Sequence, residues 1–257
     1  MVRKNSADHP FSLITTPTFK LPDGEKPDVF HRCASDMACV HNMLIRGLNS
    51  IYLQAPHVKP QDEKSFLYYS TCFYELLHVH HGGEEADLFP KIEEMSGEKG
   101  LMSRNVEQHH AFHQGLEDYH AYIVSCLKGT EKYDGTKLIG IIDGFGTTLV
   151  EHLADEITTI LDLVKYKDKM GKLEKVFEAF DEKDTKQLPI AGTLSWGFFN
   201  HDKEYEDGLW ADWPPAPAAI VFIVRRITYH IHSDWWKFAS CDPWGRPREK
   251  LYAVPDN

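Results

Sequence analysis

The sequence lacks features that define several protein classes. It has 5 cysteines, an odd number without CxxC spacing, which argues against a disulfide framework and for reduced thiols. Basic residues number 28 against 39 acidic ones, and the formal net charge of −11 disfavours nucleic acid or an anionic membrane as a partner. The most apolar stretch, residues 218–224, ends at Arg225 and Arg226 and is too short to span a bilayer.

The N-terminus also lacks an apolar run of the length that a secretory signal requires. With 257 residues, of which 42% are hydrophobic and 26% charged, the chain is long enough to bury a substantial core. We therefore expect a globular cytoplasmic protein that binds neither membrane nor nucleic acid, and that is a monomer or a weak homo-oligomer.

Histidine, in contrast, is abundant, with 15 residues, and several of them recur at helical spacing with a second potential metal ligand. Side chains four residues apart lie on the same face of an α-helix and can reach one point. Three such pairs and one single histidine lie on four separate segments: His41, His80 with Glu84, His109 with His113, and His152 with Glu156. Imidazole with carboxylate suits iron, manganese, zinc or copper, so the pattern predicts a dinuclear metal site. His81 with Glu85 is a competing pair.

The segments that carry these residues resemble a known family. VHNMLIRGLNSIY, HHGGEEADLFPKI, EQHHAFHQGLEDY and LVEHLADEI are similar, in order, to the helix motifs of the hemerythrin-like, or HHE cation-binding, family. The resemblance covers residues 29–168. It implies an all-α, up-down four-helix bundle with two non-haem iron ions, manganese and zinc being alternatives.

The resemblance also implies which residues are ligands. Glu84 and Glu156 would bridge the two metals, and the remaining ligands would be His41, His80, His109, His113 and His152. The EE-x-x-LFP run favours Glu84 over Glu85, and hence His80 over His81. Hemerythrins proper end with His followed five positions later by Asp, whereas here Glu156 follows His152 by four. Oxygen-carrier behaviour therefore does not follow from the resemblance.

Turn residues and caps predict the organisation of the chain. We expect an N-terminal arm over residues 1–28, the bundle over 29–168 and a C-terminal extension over 169–257. The bundle helices are predicted at residues 29–53, 62–95, 102–127 and 136–166. Gly82 and Gly83 beside the ligands indicate a local π-bulge, and Pro90 is expected to bend or end the second helix.

All 6 tryptophans follow residue 195, so the extension is not a flexible linker. We predict a short helix over 173–180 and a last helix over 218–238, with the tryptophans packed on the bundle. The extension then either covers apolar bundle surface or forms a lid over a substrate pocket.

Two classes of function remain open. In the first, the protein is an oxidoreductase that uses dioxygen or peroxide to oxidise a small organic molecule. Glu117 and His120 are candidates for lining its pocket, and the catalytic residues are unknown. In the second, it binds or senses oxygen, nitric oxide or iron without turnover. The extension favours the enzyme, because a carrier needs only the bundle. Arg46 is expected to be a solvated surface charge.

Overall fold

The computed structural model describes residues 4–255, so the first three residues of the predicted arm and the last two of the predicted extension lie outside the described residues. The described chain is helical, and an antiparallel bridge between Cys241 and Pro247 is its one β-pairing. The α-helices are α1 (Val29–Gln54), α2 (Glu63–Gly83), α3 (Phe89–Ser96), α4 (Ser103–Leu127), α5 (Gly135–Asp143), α6 (Gly146–Asp162), α7 (Leu173–Gln187), α8 (Ser195–Asn200), α9 (Ala218–Ile223), α10 (Tyr229–Ile231) and α11 (Ser233–Trp236).

Helices α1, α2, α4 and α6 form the bundle. α1 packs against α2 and α6, and α4 packs against the same two helices. Short connections make successive members antiparallel, and their apolar faces supply most of the core. α1 begins where Asp28 caps it by accepting a hydrogen bond from the His31 amide, and α4 ends before Gly129, whose φ is +71°. The predicted up-down bundle is confirmed.

The second predicted helix contains the expected π-turn. Glu84–Leu88 is π-helical, and the Phe89 amide donates to the Glu84 carbonyl, five residues earlier. Pro90 follows directly, and a proline ring clashes with the carbonyl four residues before it in a regular α-helix. The wider π-turn accommodates Pro90 without ending the helical segment, which continues as α3.

The fourth predicted helix is wrong in one respect, because the structure divides it into α5 and α6. The break lies at Gly144 and Phe145, where Phe145 turns into the core and is 1% exposed. A Cβ atom on Gly115 of α4 would lie 2.7 Å from the Phe145 Cβ, and one on Gly146 would meet the Phe11 ring. The glycines therefore allow two phenylalanines to pack closely.

The C-terminal extension packs along α1 and α2. α7 contacts both helices and extends to Gln187, well beyond the predicted end at residue 180. Trp196 of α8 is fully buried against Gly47 of α1, where there is no room for a Cβ atom. The predicted last helix is interrupted by a π-turn at Val224–Thr228 and breaks again at His232. No helix in residues 4–255 is long and apolar enough to cross a membrane.

The N-terminal arm is fixed to α1 by two buried asparagines. The Asn42 side chain exchanges hydrogen bonds of 2.7 and 2.8 Å with the Ile14 backbone, and Asn49 binds the Phe11 backbone in the same way. Arg46 is 1% exposed, and its Nε donates to Asp8 Oδ1 at 2.8 Å. The prediction of a solvated Arg46 is therefore wrong, because the arm supplies a partner that helical periodicity does not reveal.

Candidate metal centre

Buried histidines and glutamates from all four bundle helices meet inside the bundle. Their ligand atoms form two groups in which all atoms lie within 4.8 Å of one another: His41, His80 and Glu84 in one, and His81, Glu84, His109 and His152 in the other. Glu84 belongs to both groups. Glu156 lies between them, since its Oε2 is 3.5 Å from His41 Nε2 and 3.8 Å from His152 Nε2. The arrangement is that of two adjacent ligand groups, each of which could hold a cation, with Glu84 in both.

The structure brings together all but one of the predicted ligands. His113 is exposed and belongs to neither group, and His81 takes its place. The buried face of α4 is occupied by His109, Phe112 and Leu116, and the His81 ring stacks on that of His109 with centroids 4.2 Å apart. His81 lies three residues before Glu84, a spacing that also places two side chains on one helix face.

His80 and His81, which are adjacent on α2, therefore belong to different ligand groups. His80 faces α1, where its Nε2 lies 3.2 Å from that of His41. His81 faces α4 and α6 beside His109 and His152. Neighbouring residues on a helix are separated by about 100° of rotation, so the two rings lie on either side of Glu84.

Hydrogen bonds set the tautomer of three of the rings. Each donates from Nδ1 to an oxygen that can only accept: His41 to the Leu153 carbonyl (2.8 Å), His109 to the Glu85 carboxylate (2.7 Å) and His152 to the Gln108 amide oxygen (3.3 Å). The Nε2 atoms therefore carry lone pairs. Those of His109 and His152 face each other at 3.0 Å, which is unfavourable without a cation. Two nitrogens that bound one ion at about 2.1 Å, with an angle of about 90° between them, would lie about this far apart.

The two buried carboxyl groups are also suited to hold a cation. All four oxygens of Glu84 and Glu156 are buried, and none has a hydrogen-bond partner among the described residues. Burial raises the pKa of Glu156 to about 8, and burial together with the Glu156 charge raises that of Glu84 well above its usual range. Buried charges without partners are costly, whereas metal coordination satisfies them.

The imidazoles are held in the neutral form that binds metals. Burial lowers the pKa of His41 to about 3 and that of His152 to about 2, with neighbouring histidines adding to the effect for His152. Burial also lowers the pKa values of His80 and His81 well below the usual value for histidine. Neutral imidazoles with two buried carboxylates therefore fit a pair of cations, and the donor set suits first-row transition metals.

A further set of contacts orients these ligands. Asp155 accepts hydrogen bonds from Gln108 Nε2 at 3.0 Å and Arg104 Nη2 at 2.8 Å, and so fixes the amide that holds His152. Glu85, which the sequence offers as an alternative to Glu84, belongs to neither ligand group and instead accepts the hydrogen bond from His109. Such outer contacts set ring orientation and raise ligand basicity.

Helix α7 closes the side of the centre formed by α1 and α2. The Phe180 ring lies 5.9 Å from that of His80, and the Asp184 carboxylate fills the space beside Gly83. A side chain at position 83 would displace Asp184, which explains a glycine next to a ligand. Part of the extension thus covers the candidate centre itself.

The predicted pocket residues Glu117 and His120 both contact Tyr74, and neither belongs to the ligand groups. Glu117 accepts a hydrogen bond of 2.8 Å from the Tyr74 hydroxyl, and the His120 ring stacks on Tyr74 with centroids 3.9 Å apart. Both belong to a half-buried contact between α2 and α4. This contact accounts for both residues in structural terms, and their place in a substrate pocket stays a prediction.

Metal binding at pH 7 is expected to release protons. Burial raises the pKa of Glu156 to about 8, above the solution pH of 7, so we expect its carboxyl group to be protonated without metal and to lose that proton on becoming a ligand. For the same reason the metal-free fold loses stability as the pH rises from 4.5 through about 8. Calorimetric titration with Zn²⁺ in buffers of different ionisation enthalpy should show release of about one proton or more, and affinity should rise towards pH 8. Zero net release would contradict the proposed protonation.

Comparison with known proteins adds two findings. The family model described as the hemerythrin HHE cation-binding domain matches residues 36–164. A relative from Cryptosporiopsis sp. (strain 8999), the "Dimeric xanthone biosynthesis cluster protein R11", is 35% identical over 256 residues, a region that covers 95% of this chain and 91% of the relative. No solved structure matches the chain. The similarity to the relative therefore includes the extension as well as the bundle.

Proposed function

The chain belongs to the hemerythrin HHE cation-binding family, and we propose that it is a non-haem diiron oxidoreductase that uses dioxygen or peroxide to act on a small organic molecule. The observation that carries this proposal is the pair of buried ligand groups that share Glu84. Five imidazoles and two carboxylates are the proposed ligands: His41, His80, His81, Glu84, His109, His152 and Glu156.

Iron is the proposed metal because the donor set is rich in nitrogen and contains carboxylates that can bridge two ions. Manganese and zinc share this preference and are the alternatives. When bound, a diiron centre supplies redox chemistry with dioxygen or peroxide. The protein contributes imidazole ligands that are neutral and oriented by hydrogen bonds before the metal arrives, and the rings of Phe112 and Phe180 beside them limit the access of water.

The relative's name supports an enzyme rather than a carrier. A protein named for a biosynthesis cluster is expected to act on a biosynthetic intermediate, and its similarity to this chain extends beyond the bundle. The second proposal, a protein that binds oxygen, nitric oxide or iron without turnover, requires only the bundle and its metals. The free state of all five cysteines supports a cytoplasmic location as part of the proposal.

Rapid mixing separates the two proposals. The reduced, iron-loaded protein mixed with oxygenated buffer should give a transient visible absorption that decays irreversibly to the oxidised state, and a bound substrate should accelerate the decay. An enzyme directs its interactions at a transition state rather than at a stable oxygen complex. A stable band that bleaches and returns over repeated cycles of oxygen and vacuum would establish the binding protein instead.

A further inference from the structure

One acidic side chain of the extension is buried next to the candidate centre and lacks a partner. Asp184 of α7 is 8% exposed, and its Oδ2 atom has no hydrogen-bond partner among the described residues. Its other oxygen, Oδ1, accepts only a long hydrogen bond of 3.4 Å from the Gln187 side chain. A buried carboxylate without a partner is costly, and a cation that pairs with it removes the cost.

The Asp184 carboxylate lies directly beside the helical turn that carries Glu84. It occupies the space that a side chain at Gly83 would fill, and its Oδ2 atom is 2.7 Å from the position of a Cβ atom there. Burial and the charge of Glu156 raise the pKa of Glu84, and the charge of Asp184 adds to their effect. The absence of a side chain at position 83 therefore allows Asp184 to approach the ligand that both groups share.

On its outer side, Asp184 lies close to the surface. Gly82 is exposed, and a Cβ atom there would meet nothing within 4 Å outside its own helix. Asp87, in the π-turn, is partly exposed and forms an ion pair with Lys183 of α7. Burial, with the charge of Asp87 adding to it, raises the pKa of Asp184 to about 7. Asp87, Asp184 and Glu84 thus form a series of carboxyl groups from the surface to the candidate centre.

The opposite side of the centre is closed by apolar rings. The Phe112 ring lies 5.3 Å from that of His81 and 5.6 Å from that of His152, and the Phe89 ring stacks on His109. Both phenylalanines are 3% exposed. A hydrated cation gives up its water more readily where carboxylate oxygens replace it than among aromatic rings. The α7 side is therefore the favourable approach for a metal ion.

We propose that Asp184 is a transient ligand for divalent metal ions that enter the candidate centre, along a route from Asp87 through Asp184 to Glu84. The proposal rests on the proposed function in so far as it concerns the metals of that centre. Lys183 gives up Asp87 to the arriving cation, and Asp184 then passes the cation to Glu84 by exchange of carboxylate oxygens. Its charge is thus paired at each step through the buried region.

The rate of Co²⁺ uptake by the metal-free, full-length protein tests the route. Co²⁺ bound to imidazole and carboxylate absorbs visible light, so stopped-flow absorption follows its entry. Asp184→Asn keeps the size of the side chain and removes its charge. We expect uptake at least about tenfold slower than in the wild type. The content at saturation should equal that of the wild type, because Asp184 is not a final ligand. A wild-type rate, or a lower saturated content, would overturn the proposal.

Glu182→Gln is the matched control on the same helix. Glu182 is exposed and forms a surface ion pair with Lys186, so the substitution removes one negative charge from α7 at a solvated position. We expect a rate within about twofold of the wild type, because solvent and salt screen this charge. Equal slowing by Asp184→Asn and Glu182→Gln would show that only the total charge of α7 matters, and would refute a specific role for Asp184.

A second pair of variants tests the route without changing a charge. Gly83→Ala places a Cβ atom against the Asp184 carboxylate and displaces it, whereas Gly82→Ala meets open space. We expect uptake at least about threefold slower in Gly83→Ala and an unchanged rate in Gly82→Ala. Alanine is the better helix former, and circular dichroism checks that both variants fold. Equal rates in the two variants would contradict the route.

The route and the proposed function fail in different ways. Normal Co²⁺ uptake that Asp184→Asn does not slow refutes the route and leaves the centre intact. Slowed uptake in Asp184→Asn, with a stable and reversible oxygen band in the iron-loaded wild type, supports the route and refutes the oxidoreductase. No uptake of Co²⁺ by the wild type would refute both.

Discussion

Replacing Glu84 by alanine is expected to lower the metal content from about two equivalents per chain to fewer than one. Glu84 belongs to both ligand groups, so its loss removes a donor atom from each group. The two metal ions would also lose the negative charge that lies between them. The measurement is elemental analysis of protein that has been loaded with iron, desalted and checked for helical content. Two equivalents in Glu84→Ala would exclude a shared carboxylate at position 84.

Two histidine variants provide the matched control. His81→Ala should lose about one equivalent, because His81 belongs to one group only, whereas exposed His113→Ala should retain about two. If His113 were the ligand, as the sequence motif implies, His113→Ala would lose about one equivalent of metal and His81→Ala would retain about two. Both substitutions remove an imidazole, so a difference in metal content can arise only from the position of the residue.

Replacing Trp196 by alanine is expected to reduce the free energy of unfolding by about 3–5 kcal/mol. Trp196 is fully buried between the extension and the bundle, with ring centroids 5.8 Å from Tyr69 and 6.1 Å from Phe73. Alanine leaves a cavity that Gly47, which has no side chain, cannot fill. Urea denaturation followed by circular dichroism gives the difference.

Trp244→Ala is the control for the same chemical change. Trp244 is 44% exposed and contacts the guanidinium groups of Arg226 and Arg246. We expect a loss of about 0.5 kcal/mol or less, as for most surface substitutions. Equal effects of the two substitutions would mean that the extension does not depend on Trp196 for its attachment to α1 and α2.

The helices of the bundle could be predicted because local signals agree with the tertiary structure. Asp28 caps α1, Gly129 follows α4, and the π-turn precedes Pro90. The break between α5 and α6 was missed because its cause is Phe145, which turns away from the helix to pack on Gly115 of α4. A contact between distant segments leaves no periodic signal.

The candidate centre shows the same limit. Spacing identifies which helices carry ligands, but it does not fix the rotation of each helix about its axis. His80 and His81 are neighbours, and the sequence offers each an acidic residue four positions later. Only the packing of α4, with Phe112 facing inward and His113 outward, brings His81 against His109.

Anomalous diffraction at the iron edge from crystals of the iron-loaded protein tests the central claim most directly. The structure predicts two peaks on either side of Glu84, one next to His41 and His80 and the other next to His81, His109 and His152. A single peak, or a second peak coordinated by His113 in place of His81, would contradict the dinuclear centre described here.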